Sequence, residues 1–345
     1  MDKFLIYTGK LFIIVSTGLI IMFFINETFL NRLVEISKNQ KIYFNPKFKQ
    51  SIIDFKLKQE KKDISIIGTS RVAGFEKAMF MNQSVYNYSM ITWSLNDIFN
   101  LIQELEFDKK DTLIFGIDQW NFNKSYFHKS TNNFKKNNLN IPFIFLDEVK
   151  NFEEKVFIGI KAIGNHSGFR NDGSYFDGKR FITSQKELKS LDIWTGEIMD
   201  KDIYFKNKYE RIIGSEVDYN QLKKLKKILE YCGKKNILVY GFFPPFAPSI
   251  LKKMKSENYD FSFIEKSVKE INRLFINHNY EFKDFTNYNL FDDSFYLDGS
   301  HANRNIYYQI LKDLKILTNS NFDNDFQINR EELESLKNYF KIESR

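Results

Sequence analysis

Short runs of β-branched and aromatic residues alternate along this chain with longer stretches in which apolar residues recur every three to four positions. The short runs are typical of buried strands, and the longer spacing is typical of helices that pack one face on a core. This alternation predicts an α/β fold. Strands are predicted at 64–67, 84–89, 112–118, 236–243 and 280–285. Helices are predicted at 95–105, 148–163, 219–231, 261–278, 302–317 and 329–340.

The N-terminus carries the longest apolar stretch, residues 4–25, in which Lys10 is the one charged residue. At about 1.5 Å per residue, a helix of this length spans the ~30 Å hydrocarbon core of a bilayer, and Lys10 reaches toward the interface. We therefore expect an uncleaved membrane anchor. A cleaved signal peptide is disfavoured because small residues are missing after 23–25, and a buried core helix remains an alternative.

Basic residues lie on both sides of this stretch, so the distribution of charge does not decide which way the anchor is oriented. Lys3 and Lys10 lie on one side, whereas Arg32, Lys38 and Lys41 lie on the other.

The chain is longer than a typical single domain, at 345 residues. We expect an anchor at 1–26, a juxtamembrane connector at 27–60, one α/β domain at 61–320 and a helical tail at 321–345. A long insertion at 120–215 is expected to interrupt the domain.

A first candidate for chemistry is the segment 68–71, which reads Gly-Thr-Ser-Arg and directly follows the apolar run 64–67. Gly68 permits a tight turn after the strand. If a helix begins at 72–81, Ser70 lies near its positive end, where backbone N–H groups stabilise a developing oxyanion. The alternative is an ordinary helix cap, because serine is a favoured residue there.

The second candidate is the segment 298–301, which reads Asp-Gly-Ser-His and precedes the predicted helix 302–317. Asp298 and His301 are three residues apart, so their side chains can point the same way. A carboxylate there can accept the imidazole N–H and leave the other ring nitrogen free to take a serine proton. The alternative is that Asp298 or Ser300 caps the helix and His301 is a surface residue.

The order of these segments, serine first and Asp-x-x-His near the end, resembles the SGNH (GDSL-like) hydrolase superfamily. In particular, the chain resembles its membrane-anchored branch, which includes the D-alanine transfer protein of teichoic acid modification and the alginate-type O-acetyltransferases. The resemblance spans roughly residues 63–317. It implies a flavodoxin-like three-layer α/β/α domain with Ser70 as nucleophile, His301 as general base and acid, and Asp298 as the orienting carboxylate.

The middle segments depart from that family pattern. Ser89 stands where the oxyanion-hole glycine is usual, and Asp118 stands where the asparagine is usual. A carboxylate donates no hydrogen bond unless it is protonated, so a hole with two donors is in doubt. The backbone N–H groups of Ser70 and Ser89 remain candidates, with Asn121 or Asn87 as a candidate amide.

Arginines suggest where a substrate binds. Arg71 follows the nucleophile candidate, where it is expected either to bind a phosphate or carboxylate or to be structural. The glycine-rich stretch 164–180 has the composition of ordered turns. It places Arg170, Arg180 or His166 beside an anionic or sugar substrate, or else forms a surface loop held by Asx turns.

The segment 244–248 contains three prolines and directly follows the predicted strand 236–243. Proline ends a strand and resists helix formation, so we expect a rigid, non-helical segment here. In open α/β sheets, ligands bind beyond the carboxyl ends of the strands. The segment is therefore expected at the mouth of the cleft.

The formal net charge of +7 does not indicate a nucleic-acid-binding protein. Lysines at 223–235 alternate with apolar residues at helical spacing, as on the solvated face of an amphipathic helix. Weak attraction to an anionic membrane surface or polymer stays open. Cys232 is the only cysteine, and neither a zinc-type cluster nor a dinucleotide glycine motif occurs. No cofactor or metal is predicted.

The sequence thus predicts a membrane-anchored acyl esterase or acyltransferase. The resemblance implies an extracytoplasmic domain, a cell-surface glycan or teichoic-acid-like polymer as acceptor, and a membrane acyltransferase as a partner. Two alternatives are open. One is a catalytically silent domain that binds polysaccharide or scaffolds such a partner, and the other is an esterase that faces the cytoplasm.

Overall fold

A computed structural model describes eight parts of the chain. The described residues are 16–18, 52–53, 56–57, 62–126, 167–170, 172–177, 210–316 and 318, of which 318 stands alone.

Within these residues, five strands form one parallel sheet. The sheet strands are β1 (Ile64–Ile67), β2 (Val85–Asn87), β3 (Thr112–Gly116), β6 (Leu238–Phe243) and β7 (Glu281–Asp284). Their order across the sheet is β2-β1-β3-β6-β7. The chain therefore places β2 on one side of β1. It then crosses back over β1 and adds β3, β6 and β7 on the other side. The α/β prediction is confirmed.

Helices cover both faces of this sheet. The described helices are α1 (Leu95–Glu104), α2 (Tyr219–Lys235), α3 (Pro248–Ser256), α4 (Phe263–Asn277) and α5 (Arg304–Asp313). One apolar cluster joins the sheet to α3 and α5, and a second joins its other face to α1, α2 and α4. Successive strand side chains point to opposite faces, so Ile66 belongs to the first cluster and Ile67 to the second.

Local signals explain where the helices begin and end. Ser94 and Asp97 form a capping box at the start of α1, in which each side chain accepts the other's backbone N–H. Asp218 caps α2, which ends at Asn236 in the left-handed conformation. The helix α3 was not predicted, although Pro248 suits its first position because proline has no N–H to lose there.

The helix considered at 72–81 as a support for Ser70 is absent. Instead, short 3₁₀ turns occupy Ser70–Val72 and Lys77–Met79. The Asn87 side-chain amide donates to the Val72 and Phe75 carbonyls, and the Tyr175 N–H donates to the Ala73 carbonyl. These contacts with other parts of the chain hold the segment in a conformation that is not an α-helix.

Two antiparallel hairpins complete the described fold. The first, β4 (Ser167–Phe169) and β5 (Tyr175–Asp177), belongs to the predicted insertion. Its turn lies on the sheet edge, where the Asn87 N–H donates to the Asp172 carbonyl at 2.8 Å. The second hairpin, β8 (Tyr296–Asp298) and β9 (His301–Ala302), carries the second candidate segment.

Several predictions fall on residues outside those described. They are the anchor at 1–26 apart from 16–18, most of the connector, the helices at 148–163 and 329–340, and the residues His166 and Arg180. Among the described helices, none combines the length and the hydrophobicity needed to cross a bilayer.

Candidate active site

The structure brings the two candidate segments together at the carboxyl end of the sheet. The His301 Nε2 atom lies 2.8 Å from the Ser70 hydroxyl oxygen, and His301 Nδ1 lies 2.8 Å from Asp298 Oδ2. With its proton on Nδ1, the imidazole donates to Asp298 and accepts from the Ser70 hydroxyl. The three side chains thus form one continuous chain of hydrogen bonds.

The β8–β9 hairpin fixes the Asp298 carboxylate. Oδ1 accepts the backbone N–H groups of Ser300 at 2.8 Å and His301 at 3.0 Å, and it also accepts the Ser300 hydroxyl. These donors leave Oδ2 directed at the imidazole. The Asp298 side chain is 3 % exposed and that of His301 is 26 % exposed, so the carboxylate is sealed while the base is open to a reactant.

Ser70 is half-buried on the turn that follows β1. Its backbone N–H has no hydrogen-bond acceptor in the described part of the chain, so it is available to an oxyanion beside the hydroxyl. Because Ser70 opens a single 3₁₀ turn, the dipole of a long helix does not support this site.

Of the two roles expected for Arg71, substrate binding or a structural role, the contacts of the side chain fit the structural one. The guanidinium is buried, and all five of its N–H groups donate to protein acceptors. It therefore joins the nucleophile turn to three other segments. The acceptors are the Ser300 carbonyl (3.1 Å), the Asp118 carboxylate (3.3 Å), the Gln119 amide oxygen (2.6 Å) and the carbonyls of Pro244 and Pro245 (2.7 Å each).

Two expected oxyanion donors are engaged elsewhere. The buried Asn87 amide donates to the carbonyls after the nucleophile turn, and its oxygen accepts the Ser89 N–H at 2.9 Å. The Asn87 amide and the Ser89 backbone N–H are thus both unavailable to an oxyanion. The segment does lie at the site, because Met90 N–H and the Thr92 hydroxyl both donate to the Gly68 carbonyl.

Asp118 and Asn121 lie beyond β3, at the same edge of the sheet. Asp118 is buried against Arg71. Burial raises the pKa of Asp118, and the positive charge of Arg71 opposes that rise. Asn121 is also buried, and its amide oxygen accepts no hydrogen bond within the described residues. Within the described residues, the Ser70 N–H and the Asn121 side-chain amide are thus the two donors named from the sequence that make no hydrogen bond elsewhere.

Arg170 is held by the insertion hairpin. Its guanidinium donates to the Ser174 hydroxyl at 3.1 Å and lies 3.7 Å from Glu76, which also pairs with Arg304. Glu76 is buried between the two arginines. In this arrangement Arg170 connects the insertion to the segment after the nucleophile turn.

Two buried residues that donate hydrogen bonds to segments around the site were not identified from the sequence. Gln119 is fully buried, and its amide N–H₂ donates to Pro244 and to the Thr286 hydroxyl. Lys56, in the predicted connector, is fully buried and donates to the Asn87 and Gly173 carbonyls at 2.7 and 2.8 Å. No sequence pattern marked either residue, because both bind carbonyls of segments distant along the chain.

No group of three or more histidine, cysteine or carboxylate side chains suited to a metal ion occurs in the described residues. Comparison of the sequence with protein-family models and with curated proteins gives no match.

Proposed function

We propose that this protein is a serine-dependent acyl esterase or acyltransferase. The observation that carries the proposal is the unbroken set of hydrogen bonds from Ser70 through His301 to Asp298, with 2.8 Å at both contacts of the imidazole. Nucleophile, base and orienting carboxylate in this geometry are the requirements of acyl transfer through a covalent intermediate.

In the proposed reaction, the Ser70 oxygen attacks the carbonyl carbon of an ester while His301 Nε2 takes the hydroxyl proton. The tetrahedral oxyanion accepts the Ser70 N–H. Its collapse breaks the ester C–O bond, and His301 returns the proton to the leaving alcohol. Water or an acceptor hydroxyl then gives its proton to His301 and attacks the acyl-enzyme. The second tetrahedral intermediate collapses with cleavage of the bond to the Ser70 oxygen, and His301 returns the proton to that oxygen.

We place the chain in the SGNH-type hydrolases, with a flavodoxin-like domain. The support is the strand order β2-β1-β3-β6-β7, which is the flavodoxin order when the strands are counted along the chain. In such sheets ligands bind where the order reverses. Here that point lies between β1 and β3, and Ser70 and Asp118 directly follow these strands.

The proposed acceptor and the proposed cellular location of the protein follow from the resemblance to the membrane-anchored branch of this superfamily. We propose that the apolar stretch 4–25 anchors the protein in a membrane and that its catalytic domain is extracytoplasmic. The acceptor is then a hydroxyl of a cell-surface glycan or teichoic-acid-like polymer, and a membrane acyltransferase supplies the acyl group. Hydrolysis and transfer use the same residues and differ in whether water or the acceptor hydroxyl reaches the acyl-enzyme.

A second candidate function is a catalytically silent domain that binds polysaccharide or scaffolds a membrane partner. The state of the expected oxyanion donors favours it. The Ser89 N–H is bound to Asn87, and a carboxylate occupies the Asp118 position. Loss of one oxyanion donor typically lowers kcat by about 10²- to 10³-fold, so such a site can retain its three residues and still react slowly.

Turnover of 4-nitrophenyl acetate by the full-length chain separates the two functions. An active enzyme should release nitrophenol in a reaction that Ser70→Ala and His301→Ala abolish and that Ser256→Ala, on the exposed end of α3, does not change. Absence of turnover by the folded wild type favours the silent domain. Added glycerol then tests transfer, because acetylglycerol forms only if a hydroxyl competes with water.

A further inference from the structure

Arg211 is the arginine whose guanidinium makes no hydrogen bond or ion pair within the described residues. The other four arginines there, 71, 170, 273 and 304, each bind a carboxylate or several oxygen acceptors. Arg211 instead lies over an aromatic ring, with its guanidinium carbon 3.8 Å from the centre of Trp120. The residue is half-buried, and its Nε atom is buried with no acceptor.

The Nε–H of Arg211, buried without an acceptor within the described parts of the chain, destabilises the folded protein. A buried N–H that lacks an acceptor typically costs about 1–3 kcal/mol relative to one in water. The cation–π contact with Trp120 holds the guanidinium beside the ring. The N–H groups of a guanidinium lie at the edge of its plane. Those N–H groups form a fork that matches two oxygens of one anion. The geometry therefore fits a ligand that carries adjacent anionic oxygens.

The backbone around Arg211 is fixed, so the position of the side chain is well defined. The Asn123 amide donates to the Arg211 and Ile213 carbonyls, both at 2.9 Å. Asn123 and Trp120 belong to the segment that follows β3 at the carboxyl edge of the sheet. Arg211, in the turn Glu210–Ile212, thus packs against the segment that directly follows Asp118.

Contacts through Trp120 connect Arg211 to the site. The Trp120 ring also receives the Arg71 guanidinium, whose carbon lies 5.1 Å from the ring centre. Burial raises the pKa of Asp118 and lowers the pKa of Arg71, and the positive charge of Arg211 makes a smaller contribution that acts to lower both. Arg71 is bound to protein on every N–H, so of these two cations Arg211 is the one that can accept a ligand.

We propose that Arg211 binds an anionic group, phosphate or carboxylate, on the substrate that Ser70 acylates or deacylates. This inference rests on the proposed function and narrows its substrates to molecules with a negative charge near the reacting ester or hydroxyl. The guanidinium fork binds two oxygens of the anion, and Trp120 holds the fork in place. The rest of the substrate then reaches from the anion to Ser70, where its reacting carbonyl carbon lies.

Phosphate binding tests the site without catalysis. Inorganic phosphate is titrated against the full-length Ser70→Ala variant in detergent at constant ionic strength, and tryptophan fluorescence is followed because Trp120 contacts the guanidinium. We expect saturable binding that Arg211→Gln weakens at least tenfold and that Arg211→Lys weakens less. Arg273→Gln is the matched control, because it removes the same charge from the exposed surface of α4. Acetate titrated in parallel distinguishes a carboxylate site from a phosphate site.

Equal phosphate affinity in Arg211→Gln and in the Arg273→Gln control overturns the proposal, as does the absence of saturable binding of either anion. Thermal melting of each variant checks that it is folded. If Arg211→Gln does not fold, Arg211→Lys decides the question, because loss of the fork should still weaken binding while charge is retained.

Two matched esters test the site during catalysis. These are 4-acetoxybenzoate, which is anionic, and its neutral methyl ester. We expect the kcat/KM of the anionic ester divided by that of the neutral ester to fall about tenfold in Arg211→Gln and to stay unchanged in Arg273→Gln. A ratio that Arg211→Gln leaves unchanged contradicts the inference alone. Failure of the wild type to cleave either ester contradicts the proposed function, whereas the phosphate titration still decides the anion site.

Discussion

The Ser70 hydroxyl oxygen lies 2.8 Å from Nε2 of His301, although the two residues are 231 positions apart in the chain. The strand β1 delivers the serine to the carboxyl edge of the sheet, and the β8–β9 hairpin delivers the histidine to the same edge. Arg71 joins these two elements, because it adjoins Ser70 and donates to the carbonyl of Ser300.

Asp298→Asn tests the orienting carboxylate. The asparagine cannot accept the Nδ1 proton through its amide nitrogen, so the imidazole adopts the tautomer that carries its proton on Nε2 and cannot take the serine proton. We expect kcat with 4-nitrophenyl acetate to fall on the order of 10³- to 10⁴-fold while KM changes little. Activity within a factor of three of wild type would remove Asp298 from the mechanism.

Arg71→Lys tests the buried arginine. Lysine keeps the charge but has three N–H donors from one atom, so several of the five acceptors lose their partner. We expect the free energy of unfolding in urea to fall by about 3 kcal/mol. We also expect kcat to fall more than KM changes, because the hairpin that carries His301 is held less firmly.

The matched control for Arg71 is Arg273→Lys. Arg273 is exposed on α4 and pairs with Glu270, and such surface pairs contribute about 0–1 kcal/mol. If the two substitutions cost the same, Arg71 does not hold the site together.

Lys56→Met tests a buried amine through the pH dependence of stability. Burial lowers the pKa of Lys56 well below its ordinary value. Between the lowered pKa and the ordinary one, the unfolded chain binds more protons than the folded chain, so the free energy of unfolding rises with pH in that window. The contribution of Lys56 to this slope is at most about 1.4 kcal/mol per pH unit.

The measurement is urea denaturation of wild type and Lys56→Met at several pH values from neutral to 10. Subtraction of the two curves cancels the other titrating groups, including the tyrosines that ionise in the same range. We expect wild type to gain stability relative to Lys56→Met as the pH rises. Parallel curves would show that burial does not shift the titration of Lys56.

Gly173→Ala tests the docking of the insertion hairpin. Gly173 has φ +76°, and a Cβ there would lie 2.3 Å from the Asn87 carbonyl oxygen. We expect the substitution to cost about 1–3 kcal/mol of stability. Gly233→Ala, in α2, is the control, since its Cβ would meet nothing closer than 3.8 Å and alanine favours a helix by about 0.5–1 kcal/mol. Equal stabilities of the two variants would show that the hairpin turn is not packed on Asn87.

The local pattern of apolar and polar residues was enough to predict much of the fold and the segments that form the candidate site. Apolar runs located strands such as β1, because a parallel strand buried on both faces must be apolar on both. The edge strand β7 was located by alternation instead, since its buried Phe282 stands between Glu281 and Lys283. The short motifs at Ser70 and Asp298 marked the segments that meet, because a chemical role requires particular residue types at particular spacing. The helix considered at 72–81 does not form, since carbonyls in that segment bind Asn87 and Tyr175, and local propensity does not predict such contacts.

The roles of Arg71, Asn87 and Ser89 depend in the same way on distant partners. Each has a residue type that suits catalysis or binding, but its hydrogen-bond capacity is used within the protein. Arg211 shows the converse. Nothing in the sequence around Arg211 indicates a site. The structure identifies it as a candidate, because its buried Nε atom has no hydrogen-bond acceptor among the described residues.

The reactivity of Ser70 is measured most directly with a fluorophosphonate probe, followed by mass spectrometry of the labelled peptide. The probe phosphonylates a serine only when a base takes the hydroxyl proton. We predict a single adduct on Ser70 that forms on wild type, is lost in Ser70→Ala and His301→Ala, and persists in Ser256→Ala. Folded wild-type protein that remains unlabelled, or an adduct on a different serine, would contradict the catalytic account.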